Sequence, residues 1–271
     1  MMLVNGAPAD TIPATDRGLA YGDGVYRTLR AQNGEPLHWL RHFAKLVHDC
    51  NALQIPAPAE APLLAESRTV ARAYPHAVVK ITVTRGSGPR GYAPPTPPTP
   101  MRMVMSAALP QYPAANKAGI SAHLCQLRLS HQPRLARVKH LNRLENVLAR
   151  AEWSDPAIAE GLLLDQEGMV IGGTMSNLCI VEGTALIVPI LSRCGVAGIT
   201  LDRVLALAGS LGVACTPAHI PLQRALDADA VFFVNSLIGL WPLVRLGERT
   251  WRAGETAIAL RQALEAEDAA Y

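Results

Sequence analysis

An α+β chain of two domains is the fold class that the sequence predicts, and three observations carry it. Apolar residues at helical spacing and runs rich in β-branched residues follow one another in mixed order, without an internal repeat. The 271 residues, 49% apolar and 17% charged, are enough for one large core or two modest ones. A stretch short of large apolar residues, ALPQYPAANKAG at 108–119, interrupts them and reads as an interdomain connection. We place the domains at 1–112 and 113–271.

In the first domain, Asn33-Gly34 marks a hairpin turn between short strands. Helical spacing follows over residues 39–53, where Leu40, Phe43, Leu46, Val47 and Cys50 recur, and it stops before Pro56 and Pro58. VVKITVTR (78–85) and residues 101–108 are strands. Between them GSGPRGYAPPTPPTP holds too much glycine and proline for either element, and is a flexible surface excursion or a functional lid. In the second domain, residues 120–129 read as a strand and 141–153 as a helix with Leu141, Leu144, Val147, Leu148 and Ala151 on one face. Residues 161–189 form successive hairpins turning at Gln166-Glu167-Gly168 and Glu182-Gly183. A helix over 200–211, a buried strand at 228–234 (ADAVFFV) and an amphipathic helix over 256–264 complete the order.

The net charge of +3 is spread without a run of lysine and arginine, which excludes tracking along nucleic acid and suits small anionic substrates. No stretch approaches the roughly 18 apolar residues of a membrane span, and the start lacks a basic segment followed by a long apolar one, so a cytoplasmic protein is expected. Cys50, Cys125, Cys179, Cys194 and Cys215 are odd in number and contain no CxxC pair, so they read as reduced core residues rather than disulfides or a zinc site.

Several motifs fail on context. Gly86, Gly88 and Gly91 spell GxGxxG after a strand, but the prolines from Pro94 to Pro100 cannot open the helix that a dinucleotide needs, so a loop presenting Arg90 and Tyr92 is the better reading. His38 and His42 are four apart with His48 beyond, yet the HExxH glutamate is missing and no metal is implied. Ser210 in AGSLG lacks the first glycine position of a GxSxG elbow. In RVKHLNRLENVLAR (137–150), Lys139 stands between a strand and a helix. Composition alone reads it as an ordinary solvated lysine. At such a place, however, an amine can be partly desolvated, lose its proton and form imines.

DRGLAYGDGVYRT (16–28), KHLNRLENVLAR (139–150) and GTMSNL (173–178), in that order and as part of a match running nearly end to end, resemble the fold-type IV pyridoxal phosphate enzymes. That family includes branched-chain and D-amino acid aminotransferases and 4-amino-4-deoxychorismate lyases. The resemblance implies a small N-terminal α+β domain, a larger C-terminal domain of β-barrel character that carries the cofactor lysine, pyridoxal 5'-phosphate bound between them, and a homodimer. It makes Lys139 the Schiff-base lysine. It makes GVAGIT (195–200) the phosphate-binding turn at a helix N-terminus, with Ile199, Thr200 and Ser236 as cofactor contacts.

RGSGPRGY together with KHLNRLE is more similar to the lyase than to the transaminases, so the resemblance implies conversion of 4-amino-4-deoxychorismate to p-aminobenzoate and pyruvate in folate synthesis. An aminotransferase on the same scaffold and a weakly active cofactor-binding homologue are the alternatives. The substrate's two carboxylates call for cationic and hydroxyl donors, for which Arg90, Tyr92 and Tyr26 are candidates, each also readable as a plain loop or strand residue. Two positions depart from the family pattern. Gly172 stands where a glutamate usually meets the pyridine nitrogen, and Lys45 stands where the first helix usually supplies a phosphate-binding arginine.

Overall fold

The computed structural model describes residues 1–271, divided between two units: Met1–Pro110 with Val138–Asn142, and Gln111–Arg137 with Arg143–Tyr271. The sequence puts the boundary at 112–113 and Lys139 beyond it. The chain instead changes unit after Pro110 and returns Val138–Asn142 to the first, where main-chain hydrogen bonds tie that stretch to a strand.

The first unit runs β1 (Met2–Val4), β2 (Ala7–Pro8), α1 (Arg17–Tyr21), β3 (Gly24–Gln32), β4 (Glu35–Pro36), α2 (Trp39–Ala52), α3 (Glu60–Ala71), β5 (His76–Thr84) and β6 (Met101–Ala108), with sheet order β2-β1-β6-β5-β3-β4. The predicted Asn33-Gly34 turn joins β3 to β4, and both residues take positive φ, 51° and 86°, as a tight hairpin of matching twist requires. Val25, Leu29, Val79, Ile81 and Val83 form one core with Leu46 and Cys50 of α2 and Leu63 and Val70 of α3. Helix α3 is absent from the sequence reading, which gives no element between the breakers at Pro56 and Pro58 and the strand at 78–85.

The segment between β5 and β6 is strapped down rather than loose. Arg17, nearly fully buried, donates to Gly91 O (2.9 Å), Tyr92 O (3.1 Å) and Ala93 O (3.3 Å), while the Tyr21 hydroxyl accepts from Gly91 N–H at 3.0 Å. Asp23 holds Arg17 in turn, at 2.9 Å, and also binds Arg85 at 2.8 and 3.0 Å.

The second unit contains β7 (Ile120–Leu129), α4 (Leu144–Arg150), β8 (Ile158–Asp165), β9 (Val170–Gly173), β10 (Asn177–Glu182), β11 (Ala185–Pro189), α5 (Ile199–Ser210), β12 (Cys215–Ala218), α6 (Leu222–Asp227), β13 (Ala230–Asn235), β14 (Gly239–Leu246), β15 (Arg249–Thr250) and α7 (Glu255–Ala269). Its sheet order is β12-β11-β10-β13-β14-β7-β8-β9, with β15 beside β14. The sheet curls until its ends meet: Val170 in β9 donates to Ile220 O, just past β12, at 2.7 Å, and Met169 bridges Pro221. Along β13, Val231 and Phe233 join Leu178, Ile180 and Trp241 on one face, whereas Phe232 and Val234 join Cys179, Val204 and Leu260 on the other. Burial on both faces is why ADAVFFV reads as a continuous apolar run.

The helix predicted over 141–153 forms only at Leu144–Arg150. Residues 139–141 are extended, and the apolar row faces solvent: Leu144 is 74% exposed, with Val147 and Leu148 at 59% each, while Ala149 is the buried member.

Burial alone would raise the Asp23 pKa, but hydrogen bonds from Arg85 and Arg17, with their charges, bring it below the usual carboxylate range. A depressed folded-state pKa gives stability that is complete above the unfolded value, near 3.8, and is lost as pH falls through the folded one. The stability difference between the native protein and Asp23→Asn is therefore expected to be flat above about pH 5 and to shrink below about pH 4 in denaturant titrations. A difference that grew in acid would contradict the strap.

Candidate active site

Main-chain bonds on both sides fix the stretch that carries Lys139. Its C=O accepts the Tyr26 N–H at 3.0 Å, Leu141 N–H donates to Gly24 O at 2.9 Å, and His140 bridges Val25, so residues 139–141 run antiparallel to the start of β3. The Lys139 N–H donates to Asp49 Oδ2 on α2 at 3.0 Å. The Lys139 Nζ lies 4.5 Å from the centre of the Tyr26 ring, so two of the predicted residues meet.

Asp49 is fully buried and forms an ion pair with buried Arg27. The same Arg27 nitrogen donates to Lys45 O at 3.3 Å, and His48 Nδ1 lies 3.1 Å from the other Asp49 oxygen. Lys45 is thus one helical turn before Asp49, on a helix held to β3 by Arg27. Arg90 and Tyr92 stand elsewhere, on the strapped segment, both exposed, with the Tyr92 ring against Tyr21 at 5.5 Å. Neither Asp49 nor Arg27 figures in the sequence reading. The available signal was an acid beside Cys50 on the apolar face of α2.

In the second unit, Gly198 is the N-cap of α5, and no side chain caps the helix's first N–H groups. Such an end favours an anion. Asn177 shapes the approach: its Nδ2 donates to Val196 O at 2.7 Å and its Oδ1 accepts from Gly198 N–H at 3.1 Å. Ile199 and Thr200 begin the helix, both buried, and Thr200 Oγ1 stands 3.4 Å from Ser236 Oγ. Two hydroxyls and an uncapped helix N-terminus fit a phosphate dianion.

Gly172 lies in β9, where a Cβ would come within 2.8 Å of the Ser176 carbonyl oxygen. That oxygen accepts the Gly173 N–H at 2.8 Å, so the hairpin closes on position 172 and no side chain enters without moving backbone. Glu160, fully buried, braces the same hairpin through Thr174 N–H (3.0 Å), Thr174 Oγ1 (2.5 Å) and Ser176 Oγ (2.7 Å). Glu160 is a third residue that the sequence reading passes over, being one acid near the head of a strand.

His131, Asp165 and Cys194 bring possible metal-binding atoms within 4.8 Å of one another. Asp165 is already engaged: it accepts from Glu167 and Met169 N–H groups in the β8–β9 turn and from His131 at 3.0 Å. All five cysteines are free. Burial, with nearby carboxylates, pushes the Cys50, Cys125 and Cys194 thiols up to about 12, which keeps them from serving as thiolate nucleophiles.

The profile of the family Amino-transferase class IV matches residues 24–246. The chain is similar to a crystal structure of 4-amino-4-deoxychorismate lyase from Pseudomonas aeruginosa, at 42% identity and a TM-score of 0.95 over 98% of each chain. It is 35% identical to an aminodeoxychorismate lyase of Vibrio harveyi over 90% of each chain. A D-alanine aminotransferase of Bacillus licheniformis is 25% identical over 88% of this chain and 84% of its own. The chain belongs to the class IV aminotransferase family.

Proposed function

We propose that this chain is a pyridoxal 5'-phosphate-dependent lyase that converts 4-amino-4-deoxychorismate to p-aminobenzoate and pyruvate, a step of folate synthesis. The observation that carries the reading is the likeness, along nearly the whole length, to two lyases of that name. Lys139, gripped at its main chain and set against Tyr26, would hold the cofactor. The N-terminus of α5 with Thr200 and Ser236 would hold its phosphate, and Lys45 would add a positive charge without arginine's two-pronged geometry. When bound, the cofactor supplies an electron-withdrawing ring that stabilises charge on carbon.

With the cofactor bound, the Lys139 Nζ would be the base that takes the proton from the ring carbon bearing the substrate's amine. The enolpyruvyl group then leaves, and Lys139 can return the proton to the departing enol carbon, giving pyruvate. Aromatisation of the ring supplies much of the driving force, so the chain's own residues need mainly to place and move one proton. Arg90, Tyr92 and Tyr26 are candidates for the substrate's carboxylates.

Gly172 would offer the pyridine nitrogen no carboxylate, which implies a weaker electron sink, a water or another acid in that place, or impaired activity. A lyase driven by aromatisation tolerates this loss better than a transaminase does. Gly172 and Lys45 together also favour a second reading, a cofactor-binding homologue of low activity. The row of Leu144, Val147 and Leu148 left in solvent supports a homodimer, and the free, mostly buried cysteines fit the reducing cytoplasm.

Purified protein given aminodeoxychorismate is expected to release pyruvate at the same rate with and without an added keto acid. Dependence on the keto acid would establish the aminotransferase, and no turnover the weak homologue. Lys139→Ala should abolish both release and the visible absorbance of the cofactor-loaded protein. Gly172→Glu should bind cofactor about tenfold more tightly than Gly172→Ala, which carries the same backbone strain without the carboxylate. Equal affinity and equal turnover in these two variants would remove the electronic argument. Sedimentation should give a dimer, and Leu148→Glu should shift it toward monomer; an unchanged dimer would place the interface elsewhere.

A further inference from the structure

We propose that Asp49 is the positioning residue of Lys139: its buried carboxylate, charge-balanced by Arg27, holds the Lys139 main-chain N–H and so fixes where the amine stands. The inference rests on the reading of Lys139 as the cofactor lysine.

Lysine's side chain is long and flexible, so the volume its amine can reach is set by where its own main chain is held. At residue 139 both flanking peptide groups are gripped from different elements. The C=O side is held by Tyr26 N–H of β3 at 3.0 Å and the N–H side by Asp49 Oδ2 of α2 at 3.0 Å. The first bond also brings the Tyr26 ring to 4.5 Å from Nζ. Neither grip alone defines the direction of the side chain; the two together do.

The choice of an acid at position 49 points the same way. A fully buried carboxylate is costly unless paired and hydrogen-bonded. Its partners here are buried Arg27, the Lys139 N–H, and His48, whose side chain is 55% exposed. A buried ion pair is commonly replaceable by apolar residues of similar volume with little loss of stability. Packing between α2 and β3 therefore does not call for Asp49 and Arg27. An apolar pair would leave the Lys139 N–H without its acceptor, and the carboxylate supplies that acceptor, with Arg27 present to balance it.

The test uses two double variants of the full chain, so that no buried charge is left alone. Arg27→Met with Asp49→Asn removes both charges but keeps a side-chain oxygen for the Lys139 N–H. Arg27→Met with Asp49→Leu removes the oxygen as well. Thermal melts establish that each is folded, and hydrogen exchange of the Lys139 amide and affinity for pyridoxal phosphate are then measured. The leucine variant is expected to exchange at Lys139 on the order of 10- to 100-fold faster than the asparagine variant and to bind cofactor about tenfold more weakly. A purely structural role would lower the melting temperature and leave these two readouts equal between the folded variants, which would overturn the proposal. If only the leucine variant failed to fold, Asp49 would be a folding residue, and the proposal would fall as well. Should Lys139→Ala retain the cofactor's visible band, the reading of Lys139 fails separately, while the amide exchange still reports on Asp49.

Discussion

The antiparallel pairing of residues 139–141 with the start of β3 is the constraint on which the surroundings of Lys139 depend. It places Lys139 against Tyr26, returns a short piece of chain to the first unit, and delays the helix that the apolar spacing announces. Extended backbone cannot also supply helical hydrogen bonds. With Leu141 committed to Gly24, α4 begins only at Leu144 and is too short to be stable by itself. Its apolar row then has no neighbour in this chain to bury it, and that exposure is a consequence of holding the lysine.

Three buried arginines show how the chain holds irregular backbone. Arg17 gathers the carbonyls of residues 91–93, Arg27 reaches Asp49 and Lys45 O, and Arg203 meets Glu267 and Asp268. Each guanidinium meets a carboxylate, Asp23 in the first case, because an unpaired buried charge would cost several kcal/mol. Such pairs add little net stability. What they add is direction: guanidinium donors aim at fixed angles, and carbonyls with no strand partner are satisfied in one geometry.

The elements with a clear period were legible in the sequence. Helix α2, strands β5, β6, β7 and β13, and the Asn33-Gly34 turn stand where spacing and turn chemistry put them, since local preference and burial agree there. Helix α3 was hidden by two prolines ahead of it and by a weak apolar period. The 141–153 helix was overextended because the spacing carries no information about pairing with a strand more than a hundred residues earlier. Lys139 could be singled out by its neighbours in the chain. Asp49, Arg27 and Glu160 could not, because their roles come from partners 90, 22 and 14–16 residues away and each is a lone charged residue in its own segment.

The glycine at position 172 is tied to the shape of its hairpin. Ser176 O stands where a Cβ would go, the Gly173 N–H closes the turn on that oxygen, and Glu160 braces Thr174 and Ser176 from beneath. A glutamate at 172 therefore requires a hairpin displaced by several tenths of an ångström, and the glycine permits the tighter one. The tighter hairpin ends at Asn177, whose amide ties Val196 O to Gly198 N–H at the head of α5. Position 172 is thus coupled through five residues of backbone to the geometry of the turn at the head of α5.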